Sequence, residues 1–478
     1  MFELLSSFVT AMNNLVWSTP MILLCVGAGI FFTLRMGFLQ IRHFPEMWRL
    51  LMESDRSESG VTPFQAFATT VGGRVGVGSI GGVATAICLG GPGAIFWMWA
   101  IALLGMSTAF VESALGQAYK TKVYGEYVGG PQYYIERALG WKGYGMAYAV
   151  VAFLALGVLC PGAQTYSIVT SMQSAFGIDV FVTGGVVCFL LALIIFGGIK
   201  RIGKTAEVLA PFMSMAFILM ALLVCALNFD RIPSMIALIF KSAFGAEQAF
   251  SGIVGSAISW GVKRGIFSNE AGDGTGALVS SAAVGSHPAK QGLIQALSIF
   301  ITTIVVGTAT SFMILVTGAY NVSDGAGGMI VENLPGIEYG ILYTQEAINR
   351  SLGGFGNVFV AVSVFLFAFT SLMAFCYMAE SNMSYIFPNS KAGRFVTRIL
   401  FLIFTFFGVV NTGEMIWTWG DLGVGMMVWL NVIAILLLSN QGVKILRDYE
   451  DQKRRGLDPV FDPALLGIRN DDGIWNER

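Results

Sequence analysis

Residues 71–82 read VGGRVGVGSIGG, six glycines and an arginine between flanks otherwise apolar enough for a lipid bilayer. Glycine lets a chain leave helical geometry, and a charged group at membrane depth is costly unless paired or hydrated. A single cluster of this kind has a plain reading, because glycine in membrane helices also permits close helix packing. The choice depends on whether the flanks are spans and whether the interruption has a counterpart downstream.

The flanks are spans. The chain has 478 residues, 55% of them hydrophobic and 12% charged, with a mean hydropathy of +0.70. A soluble chain would carry roughly twice that charge. Apolar runs of about 20 residues, the length that crosses a bilayer, recur at 17–37, 63–88, 92–117, 144–170, 178–198, 205–227, 249–284, 290–318, 354–379, 395–412 and 418–440. This gives an all-α polytopic membrane protein of about eleven spans. The start, MFELLSSFVTAMNNLVW, lacks a basic region and a small-residue cleavage site, so no removable signal peptide is expected. The six cysteines all fall in apolar segments, where a thiol behaves as a small hydrophobe, and no structural disulfide is expected.

Lys and Arg set the orientation. With the N-terminus outside, the inner loops hold Arg42, Arg49, Arg56, Lys120, Lys122, Arg137, Lys142, Lys200, Arg201, Lys204, Lys290, Lys391, Arg394 and Arg398, and the tail from Lys444 is cytoplasmic. The outer loops keep only Arg231, Lys241 and Arg350. The outer stretch 319–353 reads as either a loop or a short helix lying on the bundle, and KSAFGAEQAF (241–250) as a short amphipathic helix.

The counterpart is SWGVKRGIFSNEAGDGTGALVSSAA, residues 259–283, which again sets glycines, charges and small polar residues at mid-span. Set the first span aside, and the rest divide into two sets of five, each opened by a broken span. An odd number per half inverts the second half relative to the first. Paired interruptions in inverted repeats point to a transporter's central site. The expected organisation is an extra helix and loop at 1–62, a first five-helix repeat at 63–227, a second, inverted one at 228–440, and a cytoplasmic tail at 441–478. A broken helix survives in hydrocarbon only where protein or a water-filled cavity surrounds it. Its bare amides favour a carboxylate, and its bare carbonyls suit a hard cation such as Na⁺.

The runs RVGVGSIGGVATAI (74–87), GGPGAIFWMWAIALLGMSTAFVE (90–112), GEYVGGPQYYIERALG (125–140) and GVKRGIFSNEAGDG (261–274) resemble the alanine or glycine:cation symporter family. PAKQGLIQALSIF (288–300) and FAFTSLMAFCYMAE (367–380) continue the similarity in order. The resemblance implies a LeuT-type fold, a 5+5 inverted repeat with one extra N-terminal helix. It also implies Na⁺-coupled uptake of small neutral amino acids, of the alanine or glycine type, across the cytoplasmic membrane of a prokaryote. Carried over, it places substrate contacts at Val77, Gly78 and Ser79, at Gln164, and at Phe267, Ser268 and Asn269. It places Na⁺ among the carbonyls of Gly72, Val75 and Phe367 and the hydroxyls of Thr370 and Ser371. The chain departs from the family pattern where GTGN reads GVGS, where SNEAGLG reads SNEAGDG, and at Phe375 and Thr302.

Single residues carry alternatives. Arg74 is either a gate or carboxylate partner, or a member of a structural ion pair with Glu270, Asp273 or Glu112. Glu270 and Asp273 either bind the substrate ammonium or the cation, or cap bare amides. Lys263 and Arg264 either line the outer path or reach water along a cavity wall. Gln164 is a ligand or a helix–helix hydrogen bond, and Thr370 and Ser371 could bond back to their own helix. Trp97, Trp99, Trp417, Trp419 and Trp429 read as interface or packing residues.

Other functions find little purchase. The only histidines, His43 and His287, fall in loops, and no HExxH, GxSxG or Cys-rich metal pattern points to an enzyme. No Walker loop binds ATP, nothing reads as a channel filter, and the basic loops are explained by topology without nucleic acid. The partners expected are a small neutral amino acid, Na⁺ and the bilayer, with no obligatory protein partner. The alternative is a proton-coupled or exchanging carrier, for instance of glutamine or serine.

Overall fold

Seven helices among the described residues are long and apolar enough to cross a membrane: Ser7–Arg35, Ala94–Ala118, Lys142–Phe176, Gly198–Leu227, Pro288–Thr317, Phe355–Ile386 and Met415–Leu437. The computed structural model describes residues 2–53, 59–411, 413–469 and 472–475. The other four apolar runs fall short of that length for two reasons. Val180–Ile195 and Lys391–Phe407 are continuous but have 16 and 17 residues. The glycine-rich runs are interrupted: one is Pro63–Val75, a short 3₁₀ turn Val77–Ser79 and Gly81–Gly90, and the other is Val254–Asn269 and Thr275–Ser280.

Burial separates a lipid-facing shell from an interior. Phe189, Leu193, Phe212, Leu219 and Leu222 stay exposed on Val180–Ile195 and Gly198–Leu227, as expected where the solvent is hydrocarbon. Ala94–Ala118 is buried almost without gap from Gly105 onward and packs against Val254–Asn269, Pro288–Ile299 and Thr275–Ser280. Close approach there rests on small residues: a Cβ at Gly116 would stand 2.7 Å from the Ala277 carbonyl. Glycine at this position seats the short half-helix against the central one.

The connections hold more structure than their sequence announced. Thr121–Val123 pairs antiparallel with Glu126–Val128 through a two-residue turn, Tyr124 and Gly125, both at positive φ. That is the twist a tight hairpin needs. The stretch 319–353 contains a second hairpin, Asn321–Ser323 with Met329–Glu332, and a helix, Ile341–Leu352. KSAFGAEQAF is not a helix of its own. Its first residues end the helix Ile232–Ala243, which Pro233 starts in its first turn, and Gly245 at φ +72 turns the chain away before a 3₁₀ segment at Gln248–Ile253.

The tail helix Ser439–Arg454 lies against the face where the loops are basic. Glu46 receives Arg49 (2.6 Å) and the Tyr449 hydroxyl (2.5 Å), with Lys453 at 3.3 Å. Glu450 meets Arg42 and His43 at 3.0 and 2.7 Å, and Asp448 meets His287 at 3.0 Å. The Arg49 hydrogen bond, above all, holds the Glu46 carboxyl down from its usual 4.5 to about 2. A depressed carboxylate contributes stability above its unfolded value and loses it as pH falls through the folded one. Arg49 shares a helix with Glu46, so only the smaller contributions of Tyr449 and Lys453 tie the tail helix to this titration, and its docking weakens modestly as pH falls from about 4.5 towards 2. Hydrogen exchange over 439–454 will rise across that window, and Glu46→Gln will raise it already at neutral pH.

Candidate functional site

The two interruptions face each other. The first half-helix ends at Val75; Gly76 takes a non-helical conformation (φ −25, ψ −152), and its neighbours Val77 to Ser79 form a single turn. The Val77 amide then donates to Gln164 Oε1 at 3.2 Å, and Ser79 Oγ lies 3.0 Å from Ser268 Oγ across the gap. A Cβ on Gly78 would stand 3.2 Å from the Phe267 ring and 3.3 Å from Ser268 Cα, so bare backbone lets the two breaks approach. Val77, Ser79, Gln164, Ser268 and Asn269 are all buried. Asn269 spends its Oδ1 on the Ala271 amide (2.9 Å), while its Nδ2 donates to nothing among the described residues. Val77, Gly78, Ser79, Gln164, Phe267 and Ser268 thus converge, while the Asn269 side chain turns back to Ala271 of its own break.

The expected cation ligands gather just below. Thr370 Oγ1 is 2.9 Å from the Gly72 carbonyl and 2.8 Å from that of Phe367. Ser371 Oγ is 3.0, 2.8 and 3.2 Å from the carbonyls of Gly72, Gly73 and Phe367. Gly72 and Gly73 lie in the last turn of Pro63–Val75, where carbonyls have no intrahelical partner and the negative end of the helix dipole lies. The hydroxyls therefore do more than bond back to their own helix. Two hydroxyl protons serve five close oxygen–oxygen approaches, which makes the cluster electron-rich. The Gly73 carbonyl, not among the expected ligands, receives Ser371, and the Val75 carbonyl receives neither hydroxyl.

Asp273 faces elsewhere. Its Oδ1 accepts from the Thr275 amide (2.8 Å) and hydroxyl (2.7 Å), capping the inner half-helix, and its own carbonyl receives Tyr148 at 2.7 Å. Glu270 adopts a left-handed conformation (φ 54) at the end of Val254–Asn269, and its side chain turns to Arg74 at 3.9 Å. Glu112, also 3.9 Å from Arg74, accepts from the amides of Gly272 and Gly274 and from Asn431, at 3.1, 3.2 and 2.9 Å. The turn is thus cradled by Ala94–Ala118 and Met415–Leu437.

Lys263 and Arg264 do not simply reach water. Arg264 holds Asp421 through two bonds of 2.9 and 2.8 Å, and Lys263 reaches it at 2.8 Å. Arg264 also lies over Trp417 and Phe267, whose rings are 5.6 Å apart, and this layer roofs the breaks. Above it opens a cavity of about 1220 Å³, lined by Trp260, Lys263, Arg264, Trp417 and Asp421 among others. At the opposite end the half-helices are fastened: Val61 and Ala283 pair, and the Phe461 amide binds the Ser286 carbonyl at 3.0 Å. Sequence reasoning missed Glu112 as a backbone anchor, and Asn431 and Asp421 altogether; only their polarity within apolar spans could have marked them.

Two discontinuous helices, meeting at mid-depth in an apolar bundle open at one end and fastened at the other, define a secondary transporter. The sequence profile of the sodium:alanine symporter family matches residues 2–463, and the chain belongs to that family. A sodium/proton-dependent alanine carrier protein of Bacillus sp. (strain PS3) is 47% identical over 89% of this chain and 96% of its own. The sodium/alanine symporter AgcS of Methanococcus maripaludis is 36% identical over 91% and 94%. In fold, the chain is similar to a substrate-bound, outward-open Na⁺-coupled sialic acid symporter, with a TM-score of 0.50 at 16% identity over 96% and 95% of the two chains.

Proposed function

We propose that this protein imports alanine, or a neutral amino acid of similar size, together with Na⁺ by alternating access. The oxygen cluster of Gly72, Gly73, Phe367, Thr370 and Ser371 carries this reading: five neutral oxygens, three of them carbonyls, form an environment for a hard monovalent cation and none for an anion. Na⁺ is cargo here, and its charge offsets the substrate carboxylate nearby. That carboxylate would lie at the amides of Val77, Gly78 and Ser79, taking over at Val77 the place that Gln164 Oε1 fills here. The ammonium would lie towards the carbonyl end of Val254–Asn269 at Phe267, Ser268 and Asn269, whose last-turn carbonyls have no helical partner.

The fold that houses the site is then a LeuT-type bundle of two inverted five-helix repeats, 63–227 and 228–440, behind an N-terminal helix, with eleven crossings. Basic residues put the tail in the cytoplasm and the N-terminus outside, in the cytoplasmic membrane of a prokaryote. The cavity of about 1220 Å³ is the outer vestibule, and the Val61–Ala283 pairing closes the inner side.

Proteoliposome uptake of all twenty amino acids under an inward Na⁺ or choline gradient tests the proposal. Alanine accumulates with Na⁺ only, and Gln164→Ala raises its half-saturating concentration about tenfold, the effect of one lost hydrogen bond to a charged group. Equal accumulation in choline rejects Na⁺ coupling.

A further inference from the structure

A second charged cluster lies beside the cation site without taking part in it. Arg74, Glu112, Glu270 and Asp273 are at most 4% exposed. Three carboxylates against one guanidinium leave an excess of two negative charges in a buried interior, where unpaired charge is costly. The pairing is also incomplete. Arg74 reaches Glu112 and Glu270 only at 3.9 Å, its Nε and Nη2 have no hydrogen-bond partner among the described residues, and its Nη1 donates to Ser298 and the Gln295 carbonyl. One oxygen of each acid, Glu112 Oε1, Glu270 Oε2 and Asp273 Oδ2, accepts no hydrogen bond among the described residues either.

The three acids are not equivalent. Glu112 accepts three N–H groups on Oε2, bonds that suit an anion. Glu270 has Arg74 alone as a cation. Asp273 has no cation within ion-pair distance among the described residues; around it stand Glu112, Glu270, Tyr148 and Tyr134, with Cys160 beyond and Arg74 the single positive charge. A divalent metal does not solve the imbalance, because no described group of three acidic, His or Cys side chains could hold one. A proton does, since it needs a single oxygen and no further ligand.

We propose that Asp273, sharing with Glu270, is a proton-binding site, and that its protons are a second coupled cation moved with the amino acid. The proton is taken from water, converting carboxylate to carboxylic acid, and returned to water on the other side. The step is tied to movement by the cluster's placement. Arg74 lies on the inner half of the first broken helix, Glu112 on Ala94–Ala118, Glu270 and Asp273 on the turn of the second break. Rocking those elements apart to open the inner side parts Arg74 from its acids. Each acid so uncovered must either carry a proton or stand as a bare charge. Because the two acids interact, the proton belongs to the pair.

The inference rests on the alanine reading but fails separately from it. Calorimetric titration of alanine into the purified protein at saturating Na⁺, in buffers of different ionisation enthalpy across pH 5.5–8.5, counts protons taken up. The wild type takes up a proton, about one per alanine at the pH of greatest uptake, and Asp273→Asn takes up none. In proteoliposomes holding a pH dye, Na⁺-driven alanine entry acidifies the lumen for the wild type and not for Asp273→Asn or Asp273→Leu, while Glu270→Gln shifts the pH profile. Wild-type alanine entry with Na⁺ but no proton uptake or acidification overturns the inference and leaves the symport reading standing. So does proton entry through Asp273→Asn or Asp273→Leu at the wild-type ratio to alanine. The wild-type arms need no variant to fold.

Discussion

Thr370→Val combined with Ser371→Ala abolishes the Na⁺ dependence of alanine uptake. Either change alone raises the Na⁺ concentration for half-maximal uptake by about ten- to a hundredfold, the range expected when one polar contact to an ion is lost. The reason lies in the geometry. Each hydroxyl lies within 3.2 Å of two or three carbonyls that converge from two different helices. Removing one leaves a cation short of a ligand, and losing the Ser371 hydroxyl also leaves the Gly73 carbonyl facing an apolar group. Ser371 touches three of those carbonyls and Thr370 two, so Ser371→Ala has the larger effect. Initial rates of labelled alanine uptake against external Na⁺, at fixed osmolarity, give the shift. Unaltered Na⁺ curves in the double variant would remove the cation from this place.

Gly76→Ala abolishes uptake while the protein still reaches the membrane. A Cβ there would fall on the Ser371 hydroxyl and 2.9 Å from Gln164 Oε1, so one methyl group disturbs the cation and substrate faces together. Overpacking a tight interior costs about 1–3 kcal/mol, and here that strain falls on ligands whose positions are the function. Gly185→Ala is the matched control, since nothing lies within 4 Å of its Cβ and the residue is exposed on a lipid-facing helix. The two variants compared at equal membrane abundance give the check, and wild-type uptake by Gly76→Ala would mean that the two faces do not meet at this backbone.

Much of this was legible in one dimension because the rules behind it are local. Six glycines in a span announce a break, and two breaks at matching places announce a site. Thr370 and Ser371, by contrast, were reached through the family resemblance, because the Gly72 and Gly73 carbonyls that they meet come from another helix. What stayed hidden depends on direction and distance. That Ser371 meets the Gly73 carbonyl depends on where carbonyls point at the end of a helix, which composition does not carry. Asp421 pairs with Arg264 across 157 positions, and Asn431 meets Glu112 across 319, so neither partner marks the other in sequence. Helical periodicity likewise put KSAFGAEQAF in a helix, and Gly245 at positive φ overrides it. Asp273 stood out as an acid where an apolar residue is usual, but its capping of Thr275 and its lack of a cation emerge only in three dimensions.

The account's central claim is that two unwound segments hold an amino acid and its sodium between them. A density map of the protein frozen with L-alanine and Na⁺ tests it most directly. The account predicts a small zwitterion between residues 77–79 and 267–269, its carboxylate at the first break, and a spherical density ringed by the oxygens of Gly72, Gly73, Phe367, Thr370 and Ser371. Alanine density elsewhere in the protein, with residues 75–80 and 269–275 drawn into continuous helices, would contradict it.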